Sequence, residues 1–213
     1  MNATLPLERH ADQVSRWPAT GRHILAHHDE ETIVVYQAYR PSIGRWAAEH
    51  GQLGGPEFSY SRMSWVKPNF LWMMYRSGWG TKPDQEATLA LRVRRTFFDG
   101  LLAAAVESAF QPGTHASPEA WKDALARSEV RLQWDPDHDP RGAPQERRAV
   151  QLGLRGGTLA EFGRSELLEV LDLSAVVAEQ RAHLEANRLD LLETPVERVY
   201  LPRDERLRAR LLG

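Results

Sequence analysis

Strand-type and helix-type segments follow one another in this chain without the regular alternation of a doubly wound sheet. Ala87 to Val93 alternates apolar and charged residues as a half-buried strand does, and Thr96 to Phe110 then repeats apolar residues at helical spacing. Val130 to Trp134 and Arg148 to Leu154 predict two further strands that pair around a polar loop. This irregular mixing predicts an α+β fold with a small mixed or antiparallel sheet flanked by helices.

The first eighty residues carry clear signals for the ends of elements. Arg22 to Ala26 and Thr32 to Tyr39 are rich in β-branched and aromatic residues, and a turn between them suits a hairpin. Pro41 to His50 and Asn69 to Ser77 predict helices, because a proline stands near each start and a glycine follows each end.

Length and pattern together predict one domain over residues 1–213. We expect an N-terminal arm at 1–18 and a charged tail at 195–213, both of them peripheral. Between them, Thr158 to Asn187 is helix-prone with few breakers.

Composition excludes several classes of protein. The chain has no cysteine, so a disulfide framework, a zinc thiolate site and a thiol nucleophile are all excluded. The first sixteen residues are charged where a signal peptide needs an apolar run, and no apolar run approaches the roughly 20 residues that span a bilayer. We therefore expect a soluble, cytoplasmic protein with no membrane partner. The net charge is -2, so nucleic-acid binding would need a local basic patch.

The stretch from Arg62 to Gly80 holds three of the seven tryptophans and three of the four methionines. An aromatic stripe of this kind is usually core, and we expect Phe70 and Trp72 to be buried. Three cations, Arg62, Lys67 and Arg76, are placed among these apolar residues. Each of them either pairs with an internal carboxylate or binds an anion.

Phosphate is the anion that two of these cations favour. Lys67 stands just ahead of a predicted helix start, whose unpaired N–H groups also attract anions. Arg76 offers a guanidinium for bidentate recognition. At the end of the second strand, Tyr36 should face one side of the sheet and Gln37 with Tyr39 the other.

A metal site is not expected. His23, His27 and His28 have no recognised ligand spacing. The acidic loop from Asp135 to Asp139 has Pro140 where a calcium loop needs glycine, and its flanks are strands.

Four segments together resemble the domain-of-unknown-function 4291 family: Thr32 to Pro41, Arg62 to Trp79, Gln133 to Pro136 and Arg148 to Leu154. The match spans most of the chain. The family name implies no established activity.

The order of the first elements is more distantly similar to ADP-ribosyltransferase domains, which implies a split sheet and an NAD-binding cleft. Such enzymes stabilise an oxocarbenium-like ribose while nicotinamide leaves, so they depend on positioned donors and a carboxylate. The catalytic candidates that the resemblance implies are Tyr36, Gln37, Gln151 and Glu146. The cofactor-binding candidates that it implies are Arg40, Ser64, Trp65, Lys67, Tyr75 and Arg76. The carboxylate motif of those enzymes is absent here, and Gln151 cannot replace it.

Two functions are compatible with these features. The first is a nucleotide-handling transferase of the ADP-ribosyltransferase type, which uses NAD to modify nucleic acid or protein. The alternative is a non-catalytic module for single-stranded nucleic acid, in which Trp65 or Trp79 stacks on bases and four arginines contact phosphates: Arg62, Arg76, Arg92 and Arg94. A third possibility is a structural role in which the late helices form a homodimer contact.

Overall fold

The computed structural model describes residues 5–212. Its strands are β1 Leu7–Arg9, β2 Gly21–Arg22, β3 Ile24–Ala26, β4 Thr32–Tyr39, β5 Ser64–Val66, β6 Ala87–Arg94, β7 Val106–Glu107, β8 Val130–His138, β9 Pro144–Leu154, β10 Leu167–Asp172, β11 Glu193–Pro195 and β12 Arg198–Tyr200. Its helices are α1 His10–Val14, α2 Pro41–His50, α3 Phe70–Ser77, α4 Arg95–Ala104, α5 Pro118–Arg127, α6 Gly156–Arg164, α7 Ser174–Glu185 and α8 Glu205–Leu212, with a 3₁₀ turn at Leu189–Leu191.

The strands form two main sheets and two small ribbons. The first sheet is antiparallel, in the order β10-β6-β4. In the second, β9 pairs with β8 and β5 antiparallel and with β2 parallel, and β7 pairs with β8 parallel. The ribbons are β1 with β11 and β3 with β12. The predicted α+β single domain is confirmed.

The two main sheets meet at one backbone bridge between β4 and the residue after β5. The Tyr36 N–H donates to the Lys67 carbonyl at 2.6 Å, and the Lys67 N–H donates to the Tyr36 carbonyl at 3.1 Å. The next hydrogen-bonded pair would be Ala38 with Trp65, but the ladder does not continue there between the described strands. The joined sheets curl into a half-barrel that is open beyond this bridge.

Alternation along β4 divides the apolar side chains between two cores. Ile33 and Val35 belong to the core inside the half-barrel, which also takes apolar residues from α2, α4, α6 and α8. Val34 and Tyr36 belong to a second core on the outer face of the first sheet, under α3 and α7. The expected burial of Phe70 and of the Trp-Met-Met run is confirmed.

Local signals explain the position of α3. The Asn69 side chain caps the helix by accepting from the Trp72 N–H at 2.7 Å. Gly78 ends it in the left-handed region, with φ 58°, which a glycine adopts without steric cost. The prediction of this helix is therefore confirmed, as are those of α2, β6 and the β8–β9 hairpin.

Three local predictions differ from the structure. The predicted helix from Thr96 ends at Ala104, because the chain then becomes extended and pairs as β7 with β8. The helix-prone stretch from Thr158 contains β10, which the edge of β6 holds as a strand. The predicted strand from Arg22 to Ala26 is divided into β2 and β3, and β3 pairs with β12 instead of forming a ladder with β4.

In the described part of the chain, the arm at 5–18 and the tail at 195–212 pack into the domain, contrary to the expectation that 1–18 and 195–213 are peripheral; residues 1–4 and 213 lie outside the described residues. Trp17 of the arm and Tyr200 of the tail are buried, and β1 pairs with β11. The Gln13 side chain donates to the Thr194 and Pro195 carbonyls and accepts from the Glu197 N–H at 2.8 Å. These contacts tie the arm to the tail, and the tail contributes Tyr200, Leu207 and Leu211 to the core inside the half-barrel. Within residues 5–212, the helices are too short or too polar to cross a membrane.

Glu197 is a buried acidic residue of the tail. Its carboxyl accepts from the Phe70 N–H at 2.7 Å and from the Asn69 side chain at 3.3 Å, at the first turn of α3. Burial raises the pKa of Glu197 well above its usual range. Glu197 therefore ties the tail to the helix that follows the sheet junction.

We expect Glu197→Ala to lower the free energy of unfolding by about 3 kcal/mol, because the substitution leaves two buried donors without an acceptor. Urea unfolding followed by circular dichroism measures this. Glu146→Ala, which truncates an exposed glutamate of β9, is the control and should change the free energy by less than about 0.5 kcal/mol. Equal effects of the two substitutions would contradict the role given to Glu197.

Candidate functional site

A cleft opens where β4 and β5 separate, and it has two adjoining compartments. The lysine compartment has a volume of about 320 Å³ and is lined by Gln37, Ala38, Met63, Trp65, Lys67, Met73, Arg76, Gln85 and Gln151. The tyrosine compartment has a volume of about 380 Å³ and is lined by Gln37, Tyr39, Arg40, Ile43, Glu57, Phe58, Ser59, Arg62, Met63, Ser64 and Asp84. Gln37 and Met63 line both compartments, so the two are direct neighbours.

Lys67 contributes a buried amine to the lysine compartment. The residue is 2% exposed. Its Nζ donates to the Trp65 carbonyl at 3.3 Å, and no carboxylate of the described residues lies within ion-pair distance of it. A buried lysine is normally paired, so this amine lacks the partner that a purely structural lysine would have.

The surroundings of Lys67 favour its neutral form. Burial lowers the pKa of Lys67 to about 7, and the positive charge of Arg76 adds to the shift, while Asp135 opposes it. A large fraction of the Lys67 side chain is therefore a neutral amine at physiological pH.

Arg76 places a second basic group in the lysine compartment. It lies in the last turn of α3, one turn after Met73, so both side chains reach the cleft from the same helix face. Its guanidinium is exposed, and among residues 5–212 it has no ion pair or side-chain hydrogen bond. Arginine stays charged at any physiological pH. Arg76 is thus a permanent cation that is available to a ligand.

A row of amides and one carboxylate borders these cations on the second sheet. Gln133 and Gln151 are direct cross-strand partners on β8 and β9. Each donates to one carboxylate oxygen of Asp135 at 2.8 Å. The cross-strand register thus fixes the Gln151 amide at the cleft wall and places a carboxylate behind it.

Trp65 forms the side wall of the lysine compartment because of a close approach to β9. A side chain on Gly153 would come within 3.0 Å of the Trp65 ring and within 2.8 Å of the Met63 sulfur. Only glycine leaves room for the ring at this position. The half-buried Trp65 is thereby held beside Gln151.

Aromatic and charged side chains line the tyrosine compartment. The Tyr39 hydroxyl and the Ser64 hydroxyl are hydrogen-bonded at 3.0 Å, and Phe58 packs edge-on against the Tyr39 ring. Arg40 lies between Glu57 and Asp84, at 3.0 and 3.3 Å. This compartment is therefore close to neutral, whereas the lysine compartment is basic.

Seven of the ten predicted site residues line the cleft. Gln37, Trp65, Lys67, Arg76 and Gln151 line the lysine compartment. Arg40 and Ser64, together with Gln37, line the tyrosine compartment.

Tyr36, Tyr75 and Glu146 lie elsewhere, contrary to the expectation that they share the cleft. Tyr36 points into the second core, because it alternates with Gln37 along β4. Tyr75 is on the outer surface of α3, stacked on His138 at 3.6 Å between ring centroids. Glu146 is exposed near the start of β9, five residues from Gln151 and so on the opposite strand face.

The start of α3 is not available to an anion, which differs from the sequence-based expectation. The Phe70 N–H already donates to the Glu197 carboxyl, and the Trp72 N–H already donates to the Asn69 side chain. Lys67 therefore meets a ligand through its side chain alone.

Half of the six groups that the nucleic-acid alternative needs lie away from the cleft. Arg92 pairs with Glu169 at 2.9 Å and Arg94 pairs with Glu166 at 3.0 Å. Trp79 is buried and donates its indole N–H to the Pro140 carbonyl. Of that set, Arg62 and Trp65 line the cleft together with Arg76.

Sequence reasoning missed Asp135, Met73 and Gln85. Asp135 was interpreted only as part of an acidic loop, although its spacing of two from Gln133 on a strand indicates a shared face. Met73 was interpreted only as core, and no sequence signal marks Gln85, which a loop brings to the cleft.

The family model described as "Domain of unknown function (DUF4291)" matches residues 23–200. The chain belongs to this family. All residues that line the two compartments fall within the match. A comparison with curated proteins finds no match.

The donor set of the lysine compartment of this DUF4291 cleft is unsuited to a metal ion. It offers an amine, a guanidinium group, amides and thioethers, whereas hard divalent cations prefer several oxygen ligands. Across residues 5–212, histidine and acidic side chains do not gather in groups of three that could hold a metal.

We expect Lys67→Met to raise the free energy of unfolding by about 1–3 kcal/mol at pH 6, because methionine fills the site without a buried charge. The folded-state pKa of Lys67, about 7, is below the usual 10.5. The destabilisation that comes from burying the charge of Lys67 is therefore complete below pH 7, and it is relieved as the pH rises from 7 towards 10.5. The difference in free energy of unfolding between the variant and the parent should therefore become smaller between pH 7 and pH 10.5.

Urea unfolding at pH 6, 8 and 9.5 measures this difference. Lys122→Met, at an exposed lysine, is the matched control. A Lys67→Met variant that is less stable than the parent at pH 6 would show that the amine contributes to stability.

Proposed function

We propose that this DUF4291 protein is a nucleotide-handling transferase whose cleft binds the phosphate groups of the nucleotide at Arg76. The observation that carries the proposal is the pair of basic side chains in the lysine compartment, Lys67 and Arg76, which have no acidic partner among the described residues. The charge of Arg76 faces the cavity without a counter-charge and disfavours the charged form of Lys67, so an anionic ligand at Arg76 would supply the missing counter-charge. The planar guanidinium of Arg76 suits a phosphate.

The two compartments match the two parts of a nucleotide. The basic lysine compartment suits phosphates, and the tyrosine compartment presents the Tyr39 and Phe58 rings, against which a planar base can pack. Gln37 stands at the boundary, where its amide can bond a ribose hydroxyl. A nucleotide that spans the cleft would therefore place its sugar beside Gln37.

An ADP-ribosyltransferase type of reaction, with NAD as the donor, is the form of transfer that we propose. Loss of nicotinamide leaves positive charge on the ribose, and a nearby carboxylate stabilises that charge. Asp135, held between Gln133 and Gln151, is the carboxylate that the second sheet supplies behind the cleft wall. Gln37 and Gln151 would position the ribose.

We expect the protein to bind NAD and Arg76→Gln to weaken that binding at least about tenfold, because the variant loses a charge-assisted hydrogen bond to phosphate. Isothermal titration calorimetry at pH 7.5 measures both affinities. Arg76 is exposed, so the substitution should leave the fold intact, which circular dichroism checks.

Arg127→Gln is the matched control. Arg127 is also an exposed arginine in the last turn of a helix, α5, and it lies outside both compartments. No heat at millimolar NAD, or the same loss of affinity in both variants, would refute the proposal.

A further inference from the structure

Lys67 has features that neither a structural lysine nor a phosphate-binding lysine requires. A structural lysine has an acidic partner or extends into water, but Lys67 is 2% exposed and donates only to the carbonyl of Trp65, two residues before it. A phosphate-binding lysine must be charged, and burial next to Arg76 opposes that charge. A second cation beside a desolvated lysine is an arrangement that activates the amine as a nucleophile.

The other side chains of the lysine compartment cannot compete for this role. They are amides, an indole, thioethers, an alanine and the always protonated Arg76. The hydroxyls of Tyr39 and Ser64 lie in the adjoining compartment, hydrogen-bonded to each other. Lys67 Nζ is therefore the strongest nucleophile that lines the compartment.

We propose that Lys67 is the covalent nucleophile of this cleft and attacks the anomeric carbon of the ribose that carries nicotinamide. This inference rests on the proposed function. The Nζ lone pair forms the bond to carbon while the bond from that carbon to the nicotinamide nitrogen breaks. The electrons of the broken bond stay on that nitrogen and neutralise the pyridinium, and the attacking amine releases one proton to water.

The product is nicotinamide and an ADP-ribosyl group on Lys67. An acceptor nucleophile then displaces Lys67 from the same carbon, and the amine takes up a proton as it leaves. The sugar of the adduct opens reversibly to an imine, which borohydride reagents reduce to a stable secondary amine. The transfer thus has two steps, with a covalent intermediate that can be trapped.

The chain offers internal controls for trapping because its three lysines are Lys67, Lys82 and Lys122. The latter two are exposed. The protein is incubated with NAD and cyanoborohydride at pH 8, and peptide mass mapping locates the ADP-ribosyl group. We expect at least tenfold more adduct on Lys67 than on either exposed lysine, and loss of the adduct in Lys67→Arg and Lys67→Met but not in Lys82→Met.

The dependence of labelling on pH provides a second readout. The charged groups that act on Lys67 are Arg76 from α3 and Asp135 from β8, and its amine loses its proton near pH 7. Labelling of Lys67 should therefore rise through pH 7 and level off by about pH 9. An ordinary lysine, with a pKa of about 10.4, continues to gain reactivity beyond that range.

A second probe separates failure of this inference from failure of the proposed function. Pyridoxal 5′-phosphate with borohydride labels reactive amines near phosphate sites without any nucleotide. If NAD binds but no adduct forms on Lys67, or if Lys67→Arg forms as much adduct as the parent, the inference is overturned while NAD binding stands. If NAD does not bind, the proposed function fails; pyridoxal phosphate labelling selective for Lys67 then supports the nucleophile, and equal labelling of the three lysines overturns it.

Discussion

The backbone bridge between Tyr36 and Lys67 is the contact on which both the fold and the cleft depend. It joins the sheet that contains β4 to the sheet that contains β5 and β9, and it thereby closes the inner core between them. Because side chains alternate along a strand, the same bridge sends Tyr36 into the second core and leaves Gln37 at the opening. The ladder stops there, so the residues just beyond the bridge become cleft walls.

A site with a buried, unpaired amine must be supported by packing elsewhere, since desolvation of Lys67 opposes folding. The support comes from the residues that follow and surround the bridge. Asn69 and Glu197 cap α3, and the Gln13 side chain fixes the backbone of the segment that carries Glu197. The arm and the tail therefore help to position the cleft, although they contribute none of its lining residues.

The sequence predicts best what neighbouring residues determine. Helix α3 follows from its cap and its terminal glycine, and Lys67 with Arg76 stands out because cations are rare in an apolar segment. The odd spacing between Glu146 and Gln151 would have excluded a shared face on one strand. The burial of Glu197, and the hydrogen bonds that Gln133 and Gln151 donate to Asp135, could not be predicted in this way. The first depends on contacts with residues over a hundred positions away, and the second depends on the β8–β9 register.

The two cations of the cleft differ in a way that fixes how a nucleotide must lie. Arg76 keeps its charge at any physiological pH, whereas Lys67 changes between amine and ammonium near neutrality. A phosphate placed against Lys67 would raise the pKa of that amine and remove its nucleophilicity. A covalent role therefore requires the phosphates to lie towards Arg76 at the end of α3, with the sugar over Lys67 at the sheet junction. The base then extends past Gln37, which lines both compartments, towards Tyr39 and Phe58.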